Sequence, residues 1–197
     1  EADVVVHHSD YGRAVMEATY TYGEHTRHAV IPHGHWGRML DPVRPEGGQA
    51  EAEAAQGMAP VGLRLGIVGA PRREKEVQLV IDAVHASNRD DIELRCWSLK
   101  DETVPDDPRI IAEPYVAIDH SIYAQRLFTL DALVLPFSDG MLTTGTMGDA
   151  IGAGIPALAS SWGYLREAIG DAAIYYGDTR EDLTACLDGL TPEQLGK

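Results

Sequence analysis

The residues best placed to do chemistry fall in one run, Leu142-Thr143-Thr144-Gly145-Thr146-Met147-Gly148-Asp149, which leads hydroxyls and glycine into a helix pattern that stops on Gly154. Residues 131–136 (DALVLP), just upstream, have the composition of a buried strand. Thr146 is the expected N-cap, Asp149 follows three residues on as a variant of the capping box, and Gly154 suits the C-cap. A strand, a loop and a helix N-terminus in this order leave backbone N–H groups unpaired where the helix dipole adds partial positive charge. Thr144, Gly145 and Thr146 are therefore expected to hold an anion, a phosphate above all. An ordinary βα unit with glycines for close packing would carry the same residues.

A second group of charges is Arg72-Arg73-Glu74-Lys75, at the start of a predicted helix over residues 73–86. Two arginines at a helix N-terminus oppose its dipole and invite a counter-anion; the plainer alternative is a solvated helix start. The eight histidines do not suggest a metal. His7-His8 and His33-Gly34-His35 are not spaced i, i+4 on a helix, and no Cys/His cluster joins them. His33 is expected as a turn residue, with Trp36 packing beside it.

These groups are positioned by an alternation of strands and helices. Residues 2–8 (ADVVVHH) read as a strand, 10–20 as a helix and 26–31 as a strand, giving a short β-α-β segment over residues 1–40. Residues 41–60, with prolines and glycines around an Ala/Glu/Gln-rich centre, read as a linker or mobile insertion. The domain over residues 61–197 follows, with strands at 63–69, 92–98, 109–112, 132–135, 157–160 and 172–176. Its helices are expected at 73–86, 121–128, 146–153, 165–169 and 180–187. This is the pattern of an α/β doubly wound parallel sheet. Ligands of such sheets sit beyond the carboxyl ends of the strands, where residues 69–75 and 137–146 both fall.

Composition narrows the classes. At 197 residues and 44% hydrophobic, the chain can bury a real core. No apolar run approaches the roughly 20 residues of a bilayer span, and the start lacks the basic and apolar regions of a secretory signal. Cys96 and Cys186 lie apart in apolar patterns and read as buried small hydrophobes, so a reducing cytoplasm is the expected compartment. With 16 Lys and Arg against 31 Asp and Glu, a formal charge of −15 argues against nucleic acid as partner. A small anion remains compatible, since net charge describes the far field rather than one pocket.

Taken in order, ADVVVHHS, VIPHG, LGIVGAPRREKEVQLVIDAV, DALVLP and GDAIGAGIPALASSWGYLREAI resemble the C-terminal donor-binding lobe of a retaining glycosyltransferase of GT-B architecture, specifically glycosyltransferase family 4 (glycosyl transferases group 1). The resemblance runs from Ala2 to Leu190 and implies a Rossmann-like lobe separated from an N-terminal lobe that would hold the acceptor. It implies that Lys75 binds the donor diphosphate. The family's arginine directly after the glycine is Ala70 here, so Arg72 or Arg73 stands in. Of two glutamates that flank the Gly loop, the one reaching the ribose hydroxyls corresponds to Asp149. The one facing the sugar corresponds to Met141, with Asp139 as substitute. Tyr115 and Val116 match the place where the nucleobase is held, largely through backbone.

The implied function is sugar transfer from a nucleoside-diphosphate sugar, of hexosyltransferase type, with no cofactor and no metal. The leaving group's charge would be met by Lys75, Arg72 or Arg73 and the N–H groups of Gly145 and Thr146. The isolated chain is expected to be inactive without the acceptor lobe. Two alternatives stand beside this reading: a nucleotide-sugar epimerase of the same architecture, and a catalytically silent α/β module used for protein association.

Overall fold

The computed structural model describes residues 2–35, 37–59, 61–191 and 193–196. The packing role expected of Trp36, and the segment ends at Glu1, Pro60 and Lys197, lie outside the described residues. The chain opens with β1 (Val4–His7), α1 (Asp10–Thr19) and β2 (Arg27–Val30), a β-α-β unit whose strands pair in parallel from Val4↔Arg27 to His7↔Val30.

The larger body contains β3 (Leu63–Ile67), β4 (Ile92–Leu99), β5 (Ile110–Pro114), β6 (Ala132–Leu135), β7 (Ala157–Ser160) and β8 (Ala173–Tyr176). Among the described residues these form a six-stranded parallel sheet in the order β5-β4-β3-β6-β7-β8. The doubly wound sheet expected from the sequence is present. Its strand order reverses between β3 and β6, which is where such sheets open a crevice.

Both faces of the sheet are buried, as a parallel sheet requires. Alternation along β3 and β6 sends Leu63, Leu65, Ile67, Ala132 and Val134 into one core, against α3 (Val77–Ala86) and α7 (Arg180–Gly189). Leu133 and Leu135 enter the other, with α4 (His120–Leu127), α5 (Gly145–Ala153) and α6 (Gly163–Ile169).

Two expectations change. Residues 41–59, read as a linker or insertion, form a short 3-10 turn (Asp41–Val43) and α2 (Gly48–Ala55), and they pack on the body. Leu40 and Ala52 join the second core, and Arg44 donates to the carbonyls of Ala153 and Gly152 at the end of α5. A small apolar residue every few positions suffices for this contact, and it is hard to see in an Ala/Glu-rich stretch. The helix expected from residue 73 begins instead at Val77, with Glu76 as an N-cap that makes no side-chain cap bond. Arg72, Arg73 and Lys75 therefore lie on the β3–α3 loop, and the argument from a helix dipole opposed by arginines does not apply to them.

The β-α-β unit is tied to the body at one seam. Glu167 of α6 accepts from the N–H groups of Asp10 (2.6 Å) and Tyr11 (2.7 Å), which caps the first turn of α1. The Tyr11 ring lies where a side chain on Gly163 would have to be, and the Tyr11 hydroxyl donates to the Asp139 carbonyl. Among the described residues, no helix is long and apolar enough to cross a membrane. Cys96 and Cys186 are both free thiols; Cys96 is buried as expected, whereas Cys186 is only half-buried against the first core.

Candidate functional site

At the carboxyl end of the sheet, across the reversal between β3 and β6, a cleft of about 340 Å³ opens. One wall is the β3–α3 loop with Gly69, Ala70, Arg72 and Lys75; facing it are Thr144, Gly145, Thr146 and Asp149 at the start of α5. Tyr115 and Val116, on the loop after β5, close the far side with Trp97, His120, Tyr123 and Arg126. The cleft thus gathers the expected residues from three separate loops, except Arg73. Arg73 lines a neighbouring depression with Arg72, Lys100 and Glu102.

The geometry at the start of α5 departs from the expected cap. Thr144, not Thr146, is the N-cap of α5, in extended conformation and without a side-chain cap bond. Its hydroxyl pairs instead with that of Thr146 at 2.8 Å. The helix still presents its first-turn N–H groups at the cleft, and Gly154 ends it in the left-handed conformation at φ +70°. Asp149 lies a turn further in and is no capping residue. It is buried, and its carboxylate accepts a 2.6 Å hydrogen bond from the Tyr123 hydroxyl of α4. Burial and the facing Asp149 charge push the Tyr123 phenol far above its ordinary value, so it stays a donor.

The opposite wall is built around Lys75, which is 7% exposed. Its ammonium donates to the carbonyls of Val68 (2.7 Å), Gly69 (3.1 Å) and Ala70 (3.2 Å), and to the Ser98 hydroxyl (3.1 Å). Burial holds its pKa down at about 8. The loop is fastened to the segment after β6: Glu76 N–H donates to the Pro136 carbonyl and Ser138 N–H to that of Glu74. Gly69 takes φ +84°, and a β-carbon there would meet Thr146 Cγ2 at 2.9 Å, so only glycine lets the two walls approach. Arg72 and Arg73 are exposed, and neither forms an ion pair with another described residue.

Met141 is buried in the core, and Asp139 is exposed and outside the cleft lining. The one sugar-facing position thus holds no carboxylate, and Asp139 does not reach the cleft to stand in for it. Tyr115 and Val116 remain accessible, Val116 at 64%, while the Tyr115 N–H is used by the Leu99 carbonyl. His33 sits on the loop after β2, its ring nitrogen against the Gly34 carbonyl. Sequence reasoning missed Ser98, Trp97, Tyr123 and Arg126. Arg126 lies 4.9 Å over the Trp97 ring and pairs with Glu113 at 3.4 Å.

Solved structures of the same shape include several glycosyltransferases. Sucrose-phosphate synthase from Thermosynechococcus elongatus is 18% identical with a TM-score of 0.73, and the match covers all of this chain and 52% of that one. HepE of Anabaena, in complex with UDP-glucose, is 15% identical with a TM-score of 0.72 over 95% of this chain and 54% of that one. WaaG, a glycosyltransferase involved in lipopolysaccharide biosynthesis, is 16% identical with a TM-score of 0.71 over 98% and 53%. The fold is that of a GT-B glycosyltransferase lobe. The chain spans about half the length of these glycosyltransferases. No family model matches it, and no curated protein sequence does so significantly. At these identities the likeness is one of fold, so the chemistry of the GT-B-like cleft must be argued from its own residues.

Proposed function

We propose that the chain is the donor-binding lobe of a glycosyltransferase and that its cleft takes a nucleoside-diphosphate sugar. The observation that carries this reading is the convergence, across the reversal of strand order, of an exposed arginine, a buried ammonium and a helix N-terminus on one cleft in a protein of charge −15. Such a site concentrates positive potential where the rest of the surface repels anions. Structural neighbours crystallised with UDP and UDP-glucose support the same ligand class.

In this reading the diphosphate lies against the N–H groups of Gly145 and Thr146 and under Arg72, with the Lys75 charge in the wall behind. The ribose reaches Asp149, and the base lies along Tyr115 and Val116. Transfer of a hexosyl group would build negative charge on the departing diphosphate. Preorganised N–H groups and an arginine stabilise that charge without reorganisation, which lets a divalent metal be dispensed with. Retention of the anomeric configuration belongs to the reading through the resemblance to family 4. The acceptor would be held by a further lobe, so the chain alone should show no turnover, proximity of the reactants being a large part of the rate.

Calorimetry with UDP, GDP, ADP and UDP-glucose tests the proposal. One of them should bind in the micromolar to millimolar range and protect residues 137–146 from hydrogen exchange. No heat and no protection at millimolar ligand would remove the donor site and leave the protein-association reading.

A further inference from the structure

Lys75 stands in the wall of an anion-binding cleft with nothing left to give an anion. An ammonium has three N–H donors. Here they meet four acceptors, the carbonyls of Val68, Gly69 and Ala70 and the Ser98 hydroxyl. Ser98 is fully buried behind the loop, outside the cleft lining, and its hydroxyl donates to the Gly69 carbonyl at 2.7 Å. The carbonyl of one residue and the N–H of the next point in opposite directions across a planar trans peptide. Gathering the Val68 and Gly69 carbonyls onto Lys75 therefore turns the N–H groups of Gly69 and Ala70 the other way, and Pro71 has none.

We infer that Lys75 is a positioning residue of the donor site: its ammonium curls the β3–α3 loop from behind, and the loop's N–H groups with Arg72 meet the phosphates. The inference rests on the nucleotide reading for its ligand, but its geometry belongs to the empty loop. The charged groups that face the ammonium fit the same role. Burial, together with Arg72 on its own loop, disfavours the charge, while the carboxylates of Asp149 on α5 and Glu102 offset this in part; the Cys96 thiol of β4, pushed up to about 11 by burial, faces it uncharged.

The test uses UMP and UDP as probes on the wild-type chain, Lys75→Met and Ser98→Ala, with hydrogen exchange of residues 68–75 measured without ligand. A positioning role predicts that Lys75→Met weakens UMP and UDP by the same factor, about 10- to 30-fold. Ser98→Ala should weaken both by about threefold to tenfold, the scale of one hydrogen bond, although Ser98 cannot reach a ligand. Exchange of the empty loop should accelerate in both variants. A loss confined to UDP with UMP spared, or unchanged loop exchange, overturns the inference in favour of direct phosphate contact. Should Lys75→Met fail to fold, Ser98→Ala carries the test. If the wild-type chain binds neither probe, GMP with GDP and AMP with ADP replace them; failure of all three pairs defeats the donor reading, and exchange of the empty loop still decides whether Lys75 shapes it.

Discussion

Two cations are buried at opposite ends of β3, and they are treated differently. At the amino end Arg64 is fully buried, and its guanidinium meets the carboxylates of Glu53 and Glu93 and the Ala59 carbonyl at 2.7 Å. At the carboxyl end Lys75 is held only by neutral dipoles and forms no ion pair with a described residue. A buried charge matched by carboxylates is closed off and ties elements together; here it fastens α2 to the sheet. A buried charge with no carboxylate in contact, beside a cleft, leaves positive potential that an anion in the cleft can meet. The end of the sheet that ties elements together can thus be told from the end that opens into the cleft by what each cation is paired with.

The sharpest way to break this comparison is Arg64→Met. It strands the largely buried Glu53 carboxylate and leaves Glu93 to Arg95 alone, and removing one partner of such a network costs about 3–5 kcal/mol. Denaturant unfolding should report that loss while nucleotide affinity stays unchanged, provided the chain still folds under the assay conditions. Equal damage to affinity would mean that the two ends are not separable.

Arg72→Ala should do the reverse. Losing a hydrogen bond to a charged group costs about 1.5–3 kcal/mol of nucleotide binding, whereas an exposed, unpaired arginine should alter folding by less than about 0.5 kcal/mol. Calorimetry and thermal melts on the same sample separate the two. Arg73, outside the cleft, is the control and should leave both unchanged.

The two ends should also titrate in the same sense, stability rising with pH, but in separate windows and for different causes. Burial pushes the Glu93 carboxyl up, but hydrogen bonds from Arg95 and Arg64 hold it below its ordinary value. Its contribution to stability is present above the unfolded carboxylate pKa and is lost as pH falls through the lower folded value. Lys75 is held at about 8 against an ordinary 10.5, so between those values the unfolded chain binds the extra proton. Stability from this group therefore rises with pH across that window. Melting temperatures of wild type and Lys75→Met, compared from pH 7 to 10.5, should diverge in the wild type's favour as pH rises. A constant difference would show that folding leaves the Lys75 pKa at its ordinary value.

How much of this was legible beforehand follows the range of the interactions. The strands of the sheet were legible because apolar runs such as DALVLP and LRLGI are short, and both faces of a parallel sheet are buried. The end that bears the cleft was legible because doubly wound topology fixes which loops meet. What failed was local competition and tertiary pairing. Thr144 and Thr146 both suit an N-cap, and the choice fell to Thr144 as their hydroxyls bond each other. The start of α3 moved to Val77 because residues 74–76 are recruited by the segment after β6, a contact 60 residues away that no local propensity encodes. Ser98 and Tyr123 carried no motif; their importance comes from what they touch.

The smallest effect bears on how the ligand lies along the cleft. Asp149 puts a negative charge in a site proposed to hold phosphate, yet a carboxylate is also the best acceptor for ribose hydroxyls. The two roles are separated by Asp149→Asn, which keeps an oxygen to accept from Tyr123 and so should shift stability by no more than about 1 kcal/mol. If Asp149 meets the ribose, UDP should weaken by about threefold to tenfold, the scale of one hydrogen bond. Inorganic pyrophosphate, which has no ribose, should bind no worse and gain slightly from the lost repulsion. Opposite signs for the two ligands would place the diphosphate toward Arg72 and the ribose toward α5. Parallel losses would mean that Asp149 serves the shape of the cleft through Tyr123, and that the ligand runs the other way.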